Sequence, residues 1–207
     1  MAPSGSTAVR HPYTSIPTAC GAVTSAKSIT SSSANDYTMS VSTIYCPYHT
    51  PDGFDDLVMC SDGDVLTGLF FEGSRDSSKG GSQQWLPVFG DASRWLDAYF
   101  SGRQPDFTPA FRIDGATPFR QAVLELVRAI PFGEVRTYGG LADMLARRGG
   151  CGKMSAQAVG GAVGWNPMCI IIPCHRVVGR GNSLVGYGGG LHNKASLLRL
   201  EQKQGNI

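Results

Sequence analysis

The chain has 207 residues, 42% of them hydrophobic and 16% charged, enough for one large or two small soluble domains with a core that needs neither disulfide nor metal. No apolar run approaches the roughly 18 residues of a membrane span, and the start lacks a charged-then-apolar secretory leader, so no membrane or secretory role is expected. The net charge of +2 is unevenly spread: from Ala116 onward eleven Lys/Arg face four Asp/Glu, a balance of +7, while residues 1–115 carry −5, so the C-terminal half reads either as facing a polyanion or as carrying a solvated charged face. Residues 1–36 are rich in Ser, Thr, Ala and Pro without any period, and read as a tail. Residues 37–115 form a first predicted domain. Tyr37–Tyr45 alternates with β-branched residues, and Leu57–Cys60 and Val65–Phe71 flank the turn signal Ser61-Asp62-Gly63-Asp64, so a hairpin is expected. Ala92–Phe100 carries Trp95, Leu96, Tyr99 and Phe100 at helical spacing behind Asp91 as cap. A small antiparallel sheet with one helix on it follows, and nothing in it looks catalytic. Gly102–Ala116, with Pro105 and Pro109, reads as a linker.

Residues 116–207 form the second predicted domain, and its character is helical. Thr117-Pro118 is a cap followed by proline at the first helical position, and Pro131-Phe132-Gly133 stops that helix. Thr137 caps a helix running to Arg148, and Ser155 caps another, Ala156 to about Val163, so a helix-turn-helix is one reading and a plain helical hairpin the other. The last of these helices holds Gly160 and Gly161 among alanines, at a cost of about 1 kcal/mol per glycine. Tight packing on a neighbour or close approach to a nucleic-acid groove would each offset that cost. Cys169–Ile172 is a short, fully apolar run and is expected to be a buried strand ending at Pro173.

Cys174-His175-Arg176 follows that run. A free thiol ionises near pH 8.5 and only the thiolate attacks well, so a neighbouring base or cation is the usual remedy. His175 and Arg176 are candidates, and Glu201 in the last helix is a candidate to fix the imidazole tautomer. Gly186–Gly190, with Tyr187 inside it, suits close approach to a flat ligand.

Ile172-Pro173-Cys174-His175-Arg176-Val177 resembles the active-site signature of the O6-alkylguanine-DNA alkyltransferases. Phe132-Gly133-Glu134-Val135, Tyr138, Ala158–Ala162, Asn166-Pro167, Tyr187, Gly189-Gly190, Lys194 and Glu201 fall in that family's order and spacing. The likeness is strong over Thr117–Gln202 and weak over Tyr37–Ala116. It implies an α+β fold, with a small N-terminal ribonuclease-H-like antiparallel-sheet domain and a C-terminal winged-helix-like α-rich domain. It implies DNA repair by single-turnover transfer of the alkyl group from O6-alkylguanine in double-stranded DNA to Cys174, without a cofactor, on a base flipped from the stack. The implied catalytic set is Cys174, His175 acting through a water, Glu201, Tyr138 and Asn166. Tyr187, Gly188, Val177 and Lys194 are the implied substrate contacts. Ser155, Ala156, Gln157, Gly160, Arg176, Thr137 and Lys153 are the implied DNA contacts. A monomer in the cytoplasm of a bacterium, or in the nucleus of a eukaryote, is expected. Two departures stand out. Gln157 occupies the place where the family's well-known members insert an arginine, and Gly149–Lys153 lengthens the preceding turn. Cys46, His49 and Cys60 are three potential zinc ligands without a fourth, so no metal is expected. A lesion-binding protein without transfer activity, an alkylation-sensing regulator and a cysteine hydrolase with a Cys174–His175–Glu201 triad are the rival readings.

Overall fold

A computed structural model describes residues 43–74, 81–150 and 152–202. The first 42 residues, where the tail and the start of the first strand are expected, lie outside the described residues. Three strands, β1 (Ile44–Tyr48), β2 (Leu57–Ser61) and β3 (Leu66–Phe71), pair antiparallel in sequence order. The β2–β3 turn forms where its composition predicts it, because the Asp62 carboxylate accepts from the Asp64 and Val65 N–H groups. A two-residue β4 (Ser82–Gln83) pairs parallel with β1, so the sheet is mixed at that edge and its order is β3-β2-β1-β4.

Helix α1 (Pro87–Phe100) covers the sheet with Phe89, Ala92, Trp95, Leu96, Tyr99 and Phe100 buried. It begins five residues before the expected start. Pro87, at the first helical position, opens the helix, and Asp91 lies inside it as a partner of Arg94 rather than as a cap. Cys60 pairs with Tyr45, not with Cys46, so Cys46 and Cys60 point to opposite faces of the sheet and cannot share an ion with His49. Among the described residues no group of three or more His, Cys, Asp or Glu is placed to hold a metal. The four described cysteines are free thiols.

The helices α2 (Pro118–Arg128), α3 (Tyr138–Arg148) and α4 (Ala156–Gly164) start at the expected caps. In each case the hydroxyl of Thr117, Thr137 or Ser155 accepts from the N–H three residues on. A two-residue parallel ladder joins β5 (Arg136–Thr137) to β6 (Val177–Val178), and α5 (Leu191–Gln202) closes the chain. No described helix is long and apolar enough to cross a membrane.

The edge strand β3 ties the two halves together. The Leu66 N–H donates to Ala110 and its carbonyl accepts from Arg112, which straps the predicted linker to the sheet. Leu69 donates to the Pro167 carbonyl and accepts from the Cys169 N–H. That single bridge falls on Met168, and the Cys169–Ile172 run itself holds no strand residue. The run is buried as expected, but it is a turn and not a strand: Ile170 has φ 67°, in the left-handed region. Asn166 supplies the hydrogen bonds that a ladder would have given. Its Oδ1 accepts from Met168 N at 3.0 Å, and its Nδ2 reaches the Met168 carbonyl at 3.2 Å and the Ile172 carbonyl at 2.8 Å. Cys174 therefore opens a single 3₁₀ turn, Cys174–Arg176, instead of ending a strand.

Candidate active site

A cleft of about 900 Å³ opens between the N-terminal ends of α3 and α4, the segment at 179–189 and the end of β3. Thr137, Tyr138, Ala156, Gln157, Gly160, Asn166, Cys174, Tyr187 and Gly188 all line it. Phe70, Phe71, Cys169, Arg180 and Val185 line it as well, and sequence reasoning did not single them out. Arg180 is the sole charged side chain among these described lining residues. Phe70 and Phe71 come from the first half of the chain. The signal for them was the apolar end of the predicted Val65–Phe71 strand, but nothing in that run says which end of the strand faces a cleft. The glycine loop is shaped by the same phenylalanine: a Cβ on Gly189 would overlap the Phe71 ring.

The thiol of Cys174 is buried and receives the Asn166 amide at 3.1 Å. Burial pushes it above its ordinary value, and the Asn166 hydrogen bond, the Lys194 charge and the Tyr187 hydroxyl only partly oppose this. The resting group is a neutral thiol, so attack requires removal of its proton.

Behind it lies a buried polar cluster. The Glu201 carboxylate faces His175 Nε2 at 2.8 Å and accepts Arg176 Nε at 2.9 Å, Arg176 Nη2 at 2.9 Å, the Tyr99 hydroxyl at 2.7 Å and the Gly133 N–H at 3.0 Å. Burial alone would raise its pKa, but the hydrogen bonds and charges of His175 and Arg176 outweigh burial and hold it at about 2. Burial lowers the His175 pKa, helped by the Arg176 and Lys194 charges and opposed by Glu201. The imidazole is thus neutral, and Arg176 is the lasting countercharge of the carboxylate. An ionised carboxylate only accepts, so the proton of the ring sits on Nε2 and Nδ1 keeps its lone pair. Nδ1 is buried and has no protein partner among the described residues.

Two expected contacts are corrected by this geometry. Arg176 cannot reach DNA: it is 8% exposed, and its guanidinium is engaged by Glu201 and by the Ile130 carbonyl at 2.7 Å. Nor does it activate the thiol, because its charge serves Glu201. Lys194, expected at the substrate, is fully buried and donates to the carbonyls of Val177 at 2.7 Å, Val185 at 3.0 Å and Gly186 at 3.5 Å, which ties the loop in place. Val177 donates its N–H to the Cys174 carbonyl, while its carbonyl accepts from Lys194 and keeps a second lone pair. Tyr138 reaches the Gly186 carbonyl at 3.5 Å, and burial with the nearby Cys174 raises its pKa, so it stays a phenol. Ser155 and Lys153 are exposed at and before the start of α4. The α4 glycines are not explained by packing, because a Cβ on Gly161 or Gly164 would meet nothing and one on Gly160 only the Tyr138 ring at 3.7 Å.

A buried thiol lining an open cleft, backed by a histidine and a carboxylate and set beside capped helix starts, fits a thiol-dependent group-transfer protein. Residues 44–114 match the ribonuclease-like domain, and residues 118–203 the DNA-binding domain, of 6-O-methylguanine DNA methyltransferase. The chain belongs to the methylated-DNA–protein-cysteine methyltransferase family. It is 41% identical over 152 residues to the Mycobacterium leprae member, spanning 72% of this chain and 87% of that one. It is 39% identical over 160 residues to the Haemophilus influenzae member, 76% and 86% of the two chains. The crystal structure of Mycobacterium tuberculosis O6-methylguanine methyltransferase superposes with TM-score 0.66 at 37% identity, over 78% of this chain and 93% of that one. Mycobacterium tuberculosis OGT in complex with DNA superposes with TM-score 0.65 at 35% identity, over 78% and 93%.

Proposed function

We propose that this protein repairs alkylated DNA by moving the alkyl group from O6 of guanine to Cys174 Sγ, once per molecule. The observation that carries the reading is the Cys174 thiol in a cleft with a buried His175–Glu201 pair behind it. His175 Nδ1 takes the thiol proton through a water, the sulfur attacks the alkyl carbon in line, the S–C bond forms and the C–O6 bond breaks. The electron pair passes to the guanine, and the Tyr138 phenol supplies the proton that makes guanine a tolerable leaving group. The imidazolium carries the thiol proton away and returns one to the phenolate, so charge balances. The thioether is stable, and the reaction uses no cofactor.

On this reading α3 and α4 act as a helix-turn-helix, and the open glycine face of α4 lets the backbone approach a DNA groove. The modified guanine leaves the stack to enter the cleft, Asn166 holds the cysteine turn, and Tyr187 and Gly188 form the pocket wall. Thr137, Ser155, Ala156, Gly160 and Lys153 lie along the DNA side. Residues 37–115 and 116–207 act as two domains of a monomer in the cytoplasm.

The deciding experiment is intact mass after incubation with a duplex carrying one O6-methylguanine. A gain of one methylene on each molecule, and none in Cys174→Ala, is the expected outcome. Duplex binding without any gain would leave a lesion-binding protein, and many turnovers per molecule would indicate a hydrolase.

Gln157 sits at the cleft wall without a charge. A Gln157→Arg chain should bind duplex more tightly, with a salt dependence steeper by about one counterion. Binding no tighter than wild type would remove position 157 from the DNA contact.

A further inference from the structure

Tyr99 belongs to α1, in the half of the chain where sequence offers no catalytic candidate, yet among the described residues of that half it hydrogen-bonds to the buried relay. Its hydroxyl lies 2.7 Å from Glu201 Oε1 and 3.3 Å from His175 Nε2. The ring is held from four sides: stacked on Trp95, with ring centroids 5.6 Å apart, and edge-on to Phe100, Phe132 and His175. A phenylalanine would fill the same space, and a buried hydroxyl has a desolvation cost that only a hydrogen bond offsets. The ionised carboxylate can only accept, so the Tyr99 proton points at Oε1. The Nε2 proton of His175 is then shared between Oε1 and the phenol oxygen. Both protons hold the same tautomer, the one with a bare Nδ1.

We propose that Tyr99 is a positioning residue for alkyl transfer, through which the ribonuclease-like half of the chain fixes Glu201 and His175 with Nδ1 ready to take the Cys174 proton. The proposal rests on the reading of His175 as the base. It also assigns the first half of the chain a part in the chemistry beyond supporting the fold. The charged and titratable groups around His175 are Glu201 and Lys194 from α5, its neighbour Arg176, and Tyr99 from α1. Removing the phenol proton leaves Oε1 more negative, which favours the imidazolium.

The test is Tyr99→Phe in the full chain. Single-turnover transfer at neutral pH should slow about tenfold, as expected for the loss of a charge-assisted hydrogen bond. Duplex affinity should stay at the wild-type value, and the acid limb of the rate profile should move to higher pH. Ring ¹⁵N spectra should show His175 as the neutral Nε2–H tautomer at neutral pH in both chains, and a larger imidazolium fraction in the variant at the same acid pH. Trp95→Phe is the control, since Trp95 supports the Tyr99 ring without touching Glu201; it should lower the melting temperature and leave the acid limb where it was. A Tyr99→Phe chain with the wild-type rate and acid limb, or a Trp95→Phe chain that shifts the limb as far, overturns the proposal. A wild-type chain that transfers nothing overturns the reading of His175 as base, and Tyr99 with it, so the two failures are told apart.

Discussion

Glu201→Gln is expected to cost about 3–5 kcal/mol of stability, the loss seen when one partner of a buried ion pair is removed, and to slow alkyl transfer at least about 100-fold. The substitution keeps the volume of the side chain, so a cavity cannot explain the loss. What changes is hydrogen-bonding sense. The carboxylate collects donors from His175, Arg176, Tyr99 and the Gly133 N–H. An amide offers one acceptor and turns two donors toward that set, while Arg176 keeps a charge that is 8% exposed and has only the Ile130 carbonyl left. The pH dependence of stability should change with it. Glu201 is held at about 2 against an ordinary 4.5, so its share of stability is full above 4.5 and is lost as pH falls toward 2. His175 has a lowered pKa, so the unfolded chain takes up a proton below 6.5 that the folded chain refuses, and stability falls from there downward. Urea titrations across pH should show both segments in the wild type, and the one below 4.5 should be missing in Glu201→Gln. An unchanged unfolding midpoint at pH 7 would remove Glu201 from its central place.

What the sequence made legible follows from how local each signal is. Thr117, Thr137 and Ser155 act within one turn of themselves, and each forms the cap that its position suggests. The turn at Ser61–Asp64 is equally local. The Cys169–Ile172 run failed as a strand because a short apolar stretch is the same in a strand and in a buried turn; only the partners decide, and Asn166 decides here. The family resemblance implies Arg176 and Lys194 as DNA and substrate contacts, and does not say whether a cation is exposed or buried. Their burial depends on a carboxylate 25 residues away in one case and on three carbonyls in the other. Tyr99 was legible only as a hydrophobic position on a helix. Its hydroxyl meets Glu201 102 residues later in the chain, a distance no periodicity spans.

His175→Gln tests the chemistry most directly, and its signature lies in the shape of the pH profile. Burial raises the Cys174 thiol above 9.0, so at neutral pH about 1% at most would be thiolate without help. With His175 neutral down to below 6.5, proton removal through the ring operates over the whole range between the two values. The wild-type transfer rate should therefore be level across that range and fall only on the acid side of 6.5. Glutamine can still donate to Glu201, which limits the structural damage, but it has no basic nitrogen. In His175→Gln only thiol already ionised can react. Its rate should rise about tenfold per pH unit across the same window, lie about 10²–10⁴ below wild type at neutral pH, and approach wild type once the thiol itself ionises. Rapid-quench single turnovers on an O6-methylguanine duplex, read by protein mass, give both profiles. A level profile in the variant at the wild-type rate would mean that the proton leaves Cys174 by another route. The buried His175–Glu201 pair would then serve the fold and not the reaction.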